Sequence, residues 1–230
     1  MKPYFYFFLF HLIFAEDIGI HEKLRKNMIK HQLERRGISS PKVLKAMEHV
    51  ERHRFVPEKL RNMAYNDGPL PIGNDQTISQ PYIVALMTEM LNIDRDHKIL
   101  EVGTGSGYQA AILGEISDNV HTIEIITELA EKSKKVLSEL GYDNITVHEG
   151  DGYQGIPKEA PFDRIIVTAA PEYIPEELVQ QLSYNGVMIL PVGPQFQTQF
   201  LWIIKKDDNG KISKEKKIPV RFVPMVIDDD

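Results

Sequence analysis

The sequence predicts an α/β fold, a doubly wound and mostly parallel sheet with an N-terminal helical cap. Three observations lead there. From Lys98 onward, short runs rich in β-branched residues alternate with segments of helical periodicity; before Lys98 the regular periodicity is helical; and where the first run hands over to a helix, Gly103, Gly105 and Gly107 stand at alternate positions.

Each element has its own signal. Leu24, Met28 and Leu33 recur at near-helical spacing between Ile20 and Arg36, and Gly37 supplies a stop, which predicts a first helix. Ser40 before Pro41 reads as an N-cap with proline at the first helical position, and Val43, Leu44, Met47 and Val50 form the stripe of a second helix. Residues Asn66 to Gln80 are rich in Gly, Pro, Asn, Asp and Ser and read as a long surface loop, a kind of segment that often carries function. Pro81 opens a third helix through Ile83, Leu86, Met87, Met90 and Leu91. Buried strands are expected at Lys98–Val102, His121–Ile125, Ile145–His148, Arg164–Thr168 and Val187–Leu190. Between them lie helices at Tyr108–Ile116, at Glu128–Leu140 with Thr127 as N-cap and Gly141 as stop, and at Pro175–Leu182. Phe200–Lys205 and Val220–Met225, around a turn-forming Asp207–Gly210, suggest an antiparallel edge pair.

With 230 residues the chain has length enough for a core without covalent staples, and residues 20–230 read as a single domain behind an N-terminal apolar extension over 1–19. Its 27 basic and 33 acidic residues give a net charge of −6, so no sequence-wide positive field exists to attract nucleic acid or an anionic membrane, and neither is an expected partner. The absence of cysteine excludes disulfides, thiolate zinc sites, iron–sulfur clusters and a cysteine nucleophile. The 8 histidines are scattered without metal-ligand spacing, and no metal is expected. Lys2 precedes an apolar run from Tyr4 to Ala15, broken only by His11, which is too short to span a bilayer and about the length of a signal-peptide core. Lys2 is the only basic residue ahead of it, and cleavage after Ala15 would leave Ile13 where a small residue belongs. The expected location is therefore the cytoplasm, with export of a cleaved chain as the alternative.

At Ile99-Leu100-Glu101-Val102-Gly103-Thr104-Gly105-Ser106-Gly107-Tyr108, side chains in place of the glycines would block a ligand. The loop amides and the N-terminus of the next helix are expected to face a polar ligand at the carboxyl edge of the sheet. Tyr108 stands where a dinucleotide fingerprint has its third glycine, and no Lys-Ser/Thr pair follows as in a phosphate loop, so nicotinamide and triphosphate cofactors both lose weight. Glu124 ends the second strand about 20 residues beyond the first glycine, where a carboxylate accepts both hydroxyls of a ribose. Asp151 follows the third strand as an acceptor for the amine of adenine, and Gly152 beside it leaves room for a flat ring. Singly, each feature reads as a tight turn or a solvated acid. At three successive strand ends they suggest an adenosine without phosphate, as in S-adenosyl-L-methionine, whose sulfonium and amino groups favour a nearby acid such as Glu101. The expected cofactor set is Glu101, Gly103, Gly105, Gly107, Glu124, Asp151 and Gly152.

The segments Leu70-Pro71-Ile72-Gly73, Gln76-Thr77-Ile78-Ser79-Gln80-Pro81 and Glu101 to Gln109 closely resemble the protein-L-isoaspartate (D-aspartate) O-methyltransferase family. Gly150-Asp151-Gly152, Ala160-Pro161-Phe162-Asp163, Val167-Thr168-Ala169-Ala170, Leu190-Pro191-Val192-Gly193 and Val220-Arg221-Phe222-Val223-Pro224 follow the same pattern, so the resemblance runs from about Ile20 to Met225. The glycine motif is shared by many methyltransferases, whereas the Thr-Ile-Ser-Gln-Pro run is specific. The resemblance implies a Rossmann-like methyltransferase fold and methyl transfer from S-adenosylmethionine to the α-carboxylate of L-isoaspartyl, and on occasion D-aspartyl, residues. The ester then cyclises to a succinimide that reopens partly to normal aspartate. It also implies that Ser79 is the active-site hydroxyl, which would hold the substrate carboxylate while Thr77 helps to shape the pocket. The implied partners are aged proteins and peptides, met by a chain expected to act as a monomer. A carboxylate is already ionised at neutral pH, so this chemistry needs no general base.

Three positions depart from the family pattern. Asp75 stands where bacterial members usually have glycine, Asn185 replaces the first of two glycines, and Val226 stands where some members carry a hydroxyl residue reported to contact ligand, a contact not carried over. Asp75 would also repel a carboxylate substrate if it faced one. The main alternative is an S-adenosylmethionine-dependent methyltransferase with a different small-molecule or macromolecular substrate. A non-catalytic adenosine-binding protein and an NAD-dependent oxidoreductase are the readings from other classes.

Overall fold

A computed structural model describes residues 19–226, so the apolar run from Tyr4 to Ala15 lies outside the described residues. Residues 19–28 form helix α1, which continues as a π turn over Ile29–Leu33 and a 3-10 turn over Glu34–Arg36 until Gly37, at φ 93°, ends it. The single regular helix expected here thus changes pitch twice. Met28 and Leu33 are both buried and stand five residues apart, a spacing that the wide turn brings onto one face. Helix α2 (Pro41–His49) is entered through Ser40 as expected. Two 3-10 segments, Arg52–Phe55 and Glu58–Met63, complete the cap.

The stretch expected as a loop contains a hairpin. Strands β1 (Leu70–Gly73) and β2 (Gln76–Ile78) pair antiparallel around a two-residue turn in which Asn74 and Asp75 take φ of 51° and 55°. Leu70, Ile72 and Ile78 point inward and Pro71, Gly73 and Thr77 outward, an alternation too short to stand out among prolines and glycines. Asp75 occupies left-handed backbone that asparagine and aspartate tolerate better than most residues, and Asn185, at φ 60°, does the same within a later strand.

Helix α3 (Pro81–Leu91) leads into the main sheet of β3 (Lys98–Val102), β4 (Asn119–Glu124), β5 (Ile145–Glu149), β6 (Phe162–Val167), β7 (Leu182–Val192), β8 (Gln199–Lys206) and β9 (Ile212–Val220). Their order is β5-β4-β3-β6-β7-β8-β9, with β5 through β7 mutually parallel and β8 and β9 antiparallel at the edge. The chain winds from β3 toward β5 on one side and resumes at β6 on the other. The change of direction falls at the carboxyl end of β3, where open α/β sheets form a crevice.

Helices α4 (Tyr108–Gly114), α5 (Thr127–Glu139) and α6 (Glu176–Gln180) connect the strands. Alternate residues of each strand feed two cores. Ile99, Val120, Ile166 and Ile189 pack under α2 to α5 and the cap, while Leu100, Val102, Ile165, Val167 and Met188 pack with Leu178 of α6 and Phe162. Thr127 is the first residue of α5 and Ile126 its N-cap; no side chain caps the helix, and Glu124 accepts the amide of Ile126 itself. The helix expected through Leu182 stops at Gln180, since Leu182 already pairs with Phe162 at the start of β7.

The final strand differs most from expectation. It is Ile212–Val220 and not Val220–Met225. As the edge of the sheet it carries Lys214, Lys216, Lys217 and Pro219, residues that discourage pairing with another chain and that hide its strand character in the sequence. Residues 221–226 instead return across the carboxyl edge, held by Ala170 through its amide to Val223 O and its carbonyl from the Met225 amide. The buried side chain of Gln199 brackets Phe222, accepting from its amide at 2.6 Å and donating to its carbonyl at 3.2 Å. Among the described residues no helix is long and apolar enough to cross a membrane.

Candidate active site

A cleft opens at the carboxyl ends of β3, β4 and β6. Its walls include Gly103 and Gly105 of the glycine loop, Ile123 to Ile126 after β4, Gly152 after β5, Thr168 and Ala169 after β6, Gln76 and Thr77 of the hairpin, and Val223 to Val226. The loop leaves β3 at Gly103, whose φ of 93° suits glycine and whose missing Cβ would lie 2.6 Å from the Thr168 hydroxyl. Thr168 uses that space by donating to the Gly103 carbonyl at 2.6 Å. A Cβ on Gly152 would meet Val102 Cγ1 at 2.6 Å and Met225 Cε at 2.9 Å.

Four of the loop amides bond within the protein. Those of Gly103 and Thr104 donate to the Ile123 carbonyl, that of Gly105 to Glu124 Oε2 at 2.8 Å, and that of Gly107 to the Thr104 carbonyl. These four N–H groups are used within the turn, so at these positions the loop gives clearance and not an anion cradle. That suits a ligand with no phosphate to neutralise.

The three acids have different surroundings. Glu124 is buried on the cleft wall, its two oxygens oriented by the amides of Gly105 and Ile126 at 2.8 and 3.0 Å. A carboxylate has about four acceptor positions, so roughly two remain for hydroxyl donors. Glu101 lies on β3 beneath the loop, outside the cleft wall and 0% exposed, and neither of its oxygens has a hydrogen-bond partner. Burial, with the charge of Glu124 adding to it, pushes its pKa up to about 8. Asp151 stands at the end of β5, half-buried and off the cleft wall, with Oδ1 accepting the Tyr153 amide at 2.8 Å; the adjacent Gly152 lines the cleft. Gly107 is not on the wall but begins α4 at φ 85°. An unpartnered buried acid, a second acid with spare acceptor capacity and a glycine-cleared wall together fit a cationic adenosine ligand.

A second, larger cavity adjoins the first, and Thr77, Thr168, Val223 and Pro224 line both. Ser79, Gln80, Arg221, Phe222 and the exposed Phe196 are among its lining residues. Ser79 does not cap α3, for the N-cap is Gln80 and no side chain caps that helix. Its backbone carbonyl accepts from Arg52 Nη2 at 2.7 Å. At the rim, Arg36 pairs with Asp67 at 3.1 Å and lies 3.4 Å over the Tyr82 ring, while Gln80 donates to Asp67 at 2.6 Å. Asp75, at the hairpin tip, lines neither cavity. Val226 lines the smaller cleft with an apolar side chain.

Thr168, Gln199 and residues 223–225 line these cavities without being among the residues the sequence singles out. Thr168 had a legible signal, a hydroxyl at the carboxyl end of a buried parallel strand. Gln199 and residues 223–226 reach the site through tertiary packing alone.

The family model for protein-L-isoaspartate(D-aspartate) O-methyltransferase matches residues 23–229. A protein-L-isoaspartate O-methyltransferase of Gloeobacter violaceus is 52% identical over 198 residues, covering 86% of this chain and 96% of the relative. One from Nitrosospira multiformis is 50% identical over 207 residues, covering 89% and 88%. Among solved structures, a protein-L-isoaspartate O-methyltransferase superposes with a TM-score of 0.76 at 28% identity, over 89% of this chain and 65% of that one. A Plasmodium falciparum protein assigned to the same activity, in complex with S-adenosyl-L-homocysteine, superposes with a TM-score of 0.75 at 29% identity, over 90% and 98%.

Proposed function

The chain belongs to the protein-L-isoaspartate (D-aspartate) O-methyltransferase family, and on that premise we propose how its two cavities divide the reaction. The enzyme methylates isoaspartyl residues of proteins with S-adenosylmethionine, the step that starts their repair. The smaller cleft holds the cofactor. Glu124 accepts the ribose hydroxyls, Gly103, Gly105 and Gly152 clear space for the nucleoside, Gly107 sets the start of α4, and Asp151 takes the adenine amine with its remaining oxygen. Glu101 lies beneath the loop as a buried acid that a bound cation would draw into its ionised form. When bound, S-adenosylmethionine supplies a methyl group on a positively charged sulfur, which departs with the bonding electron pair as the carboxylate oxygen bonds the methyl.

The larger cavity holds the peptide. Its carboxylate is the nucleophile and arrives ionised, so the protein's work is alignment and exclusion of water. Ser79 donates a hydrogen bond to that carboxylate, and Thr77, on the wall shared by both cavities, borders the line of transfer. Arg221 adds positive charge to the groove. The observation that carries this reading is the meeting of the two cavities at Thr77 and Thr168, with Ser79 on one side and Glu124 on the other. Ser79→Ala and Glu124→Ala test it together. The account expects Ser79→Ala to lower turnover by 100-fold or so with S-adenosylhomocysteine affinity intact, a typical size for a lost transition-state donor, and Glu124→Ala to lose that affinity. An exchange of these effects would assign the cavities the other way.

The same proposal treats residues 20–230 as one functional unit, acting as a monomer on aged proteins in the cytoplasm, where cells make S-adenosylmethionine. Light scattering tests the first of these, and a mature N-terminus at Glu16 in the natural host would overturn the last.

A further inference from the structure

Arg52 is 0% exposed, and among the described residues no carboxylate faces it. A buried cation is costly unless its donors and charge are compensated, and an apolar side chain would fill the same volume without that cost. The compensation comes from three separate elements. Nε donates to the Ala64 carbonyl at the end of the second 3-10 segment, and Nη2 to the Ser79 carbonyl, each at 2.7 Å. The guanidinium carbon lies 4.8 Å from the centre of the Tyr108 ring, in the first turn of α4 directly after Gly107. Nη1 has no hydrogen-bond partner. Burial pulls the pKa down to about 10, so the group stays charged at neutral pH.

We propose that Arg52 is a positioning residue for methyl transfer: it fixes the Ser79 backbone against the first turn of α4, and so sets the substrate groove at its distance from the cofactor cleft. The proposal rests on the reading of the segment around Ser79 as part of the substrate groove. The planar fork spans two carbonyls while its face covers an aromatic ring, a combination that lysine, with one compact donor centre, does not reproduce. Alignment of a nucleophile with a methyl group tolerates little displacement, and a shift of about 1 Å costs on the order of 100-fold in rate.

The test uses the full chain with Arg52→Lys, Arg52→Met, Ser79→Ala and, as a control for stability, Ile38→Ala, which opens a cavity in the same cap away from either site. Turnover and KM for an isoaspartyl peptide, the dissociation constant of S-adenosylhomocysteine and Tm are measured for each. The expected result is a loss of kcat of about 10-fold in Arg52→Lys and about 100-fold in Arg52→Met, with S-adenosylhomocysteine affinity within threefold of the parent. Ile38→Ala should lower Tm and keep kcat. An Arg52→Lys protein that binds S-adenosylhomocysteine and keeps kcat within threefold overturns the proposal. So does a loss of kcat in Arg52→Lys matched by Ile38→Ala at the same Tm, which would reduce Arg52 to a stabilising group; Arg52→Lys carries these outcomes even if Arg52→Met does not fold. Arg52 acts on the carbonyl of residue 79 and not on its hydroxyl, so full activity in Ser79→Ala would sink the role given to the hydroxyl while the Arg52 comparison still decides the backbone role.

Discussion

Glu101 shows how one buried side chain beneath the glycine loop bears on stability. Its native carboxyl holds a proton up to about pH 8, whereas an exposed one releases it near 4.5. Between those values the folded state binds more protons than the unfolded one, so the contribution of Glu101 to stability falls as pH rises through that window. Glu101→Gln should flatten the decline in Tm of the ligand-free protein between pH 5 and pH 8, and should weaken S-adenosylhomocysteine binding because the amide, unlike the acid, cannot ionise against the ligand's ammonium group. Parallel Tm–pH profiles for the two proteins would contradict the surroundings assigned to this group. At this scale the sequence was informative wherever position along a strand implies function. Glu124 and Gly152 follow from strand ends, and the structure has both on the cleft wall. Arg52 was not legible, because nothing in a run of basic residues before Phe55 marks one of them as buried.

Among the elements, the turn after β3 depends most narrowly on residue type. Gly103→Ala would place a side chain in left-handed backbone, at a cost of roughly 1–2 kcal/mol, and would drive it into the Thr168 hydroxyl 2.6 Å away. The variant should lose stability and S-adenosylhomocysteine affinity together. Adding Thr168→Ala removes the clash but not the backbone strain, so calorimetry on the double variant should show a smaller loss than the sum of the single ones. The cap has a different sensitivity. His53 stacks on His21 at 4.1 Å and meets the Tyr65 hydroxyl at 2.8 Å, and burial pulls its pKa down to about 4. The unfolded histidine takes a proton near 6.5, so this contribution is complete above that pH and is lost as pH falls toward 4. Hydrogen-exchange protection factors across residues 19–65, taken against the intrinsic rate at each pH, should fall over that range before those of the parallel strands, and a simultaneous fall in both would contradict a local origin. The parallel strands and their helices were legible because each is a run of one periodicity. The β1–β2 hairpin and β9 were not, the first for its brevity and the second because an exposed edge is written in lysine.

The whole molecule joins two cavities across one carboxyl edge. Winding that reverses at β3 creates the smaller cleft, and two additions foreign to the parallel sheet, the N-terminal cap with its hairpin and the returning segment 221–226, build the groove beside it. The sequence could not reveal that junction, since Thr77, Thr168 and Val223 are distant along the chain and meet only after packing. Gln199 holds the returning segment by both backbone groups of Phe222. Gln199→Leu should therefore raise KM for peptide and weaken S-adenosylhomocysteine binding at once, because residues 223 and 224 line both cavities; kinetics and calorimetry showing a change in only one would contradict a shared wall. The most direct measurement of the central claim is methyl transfer from labelled S-adenosylmethionine to matched peptides with isoaspartate or aspartate at one position, run beside Ser79→Ala. The account predicts base-labile label on the isoaspartyl peptide alone, lost in the variant while S-adenosylhomocysteine still binds. Equal labelling of both peptides, or full labelling by Ser79→Ala, would contradict it.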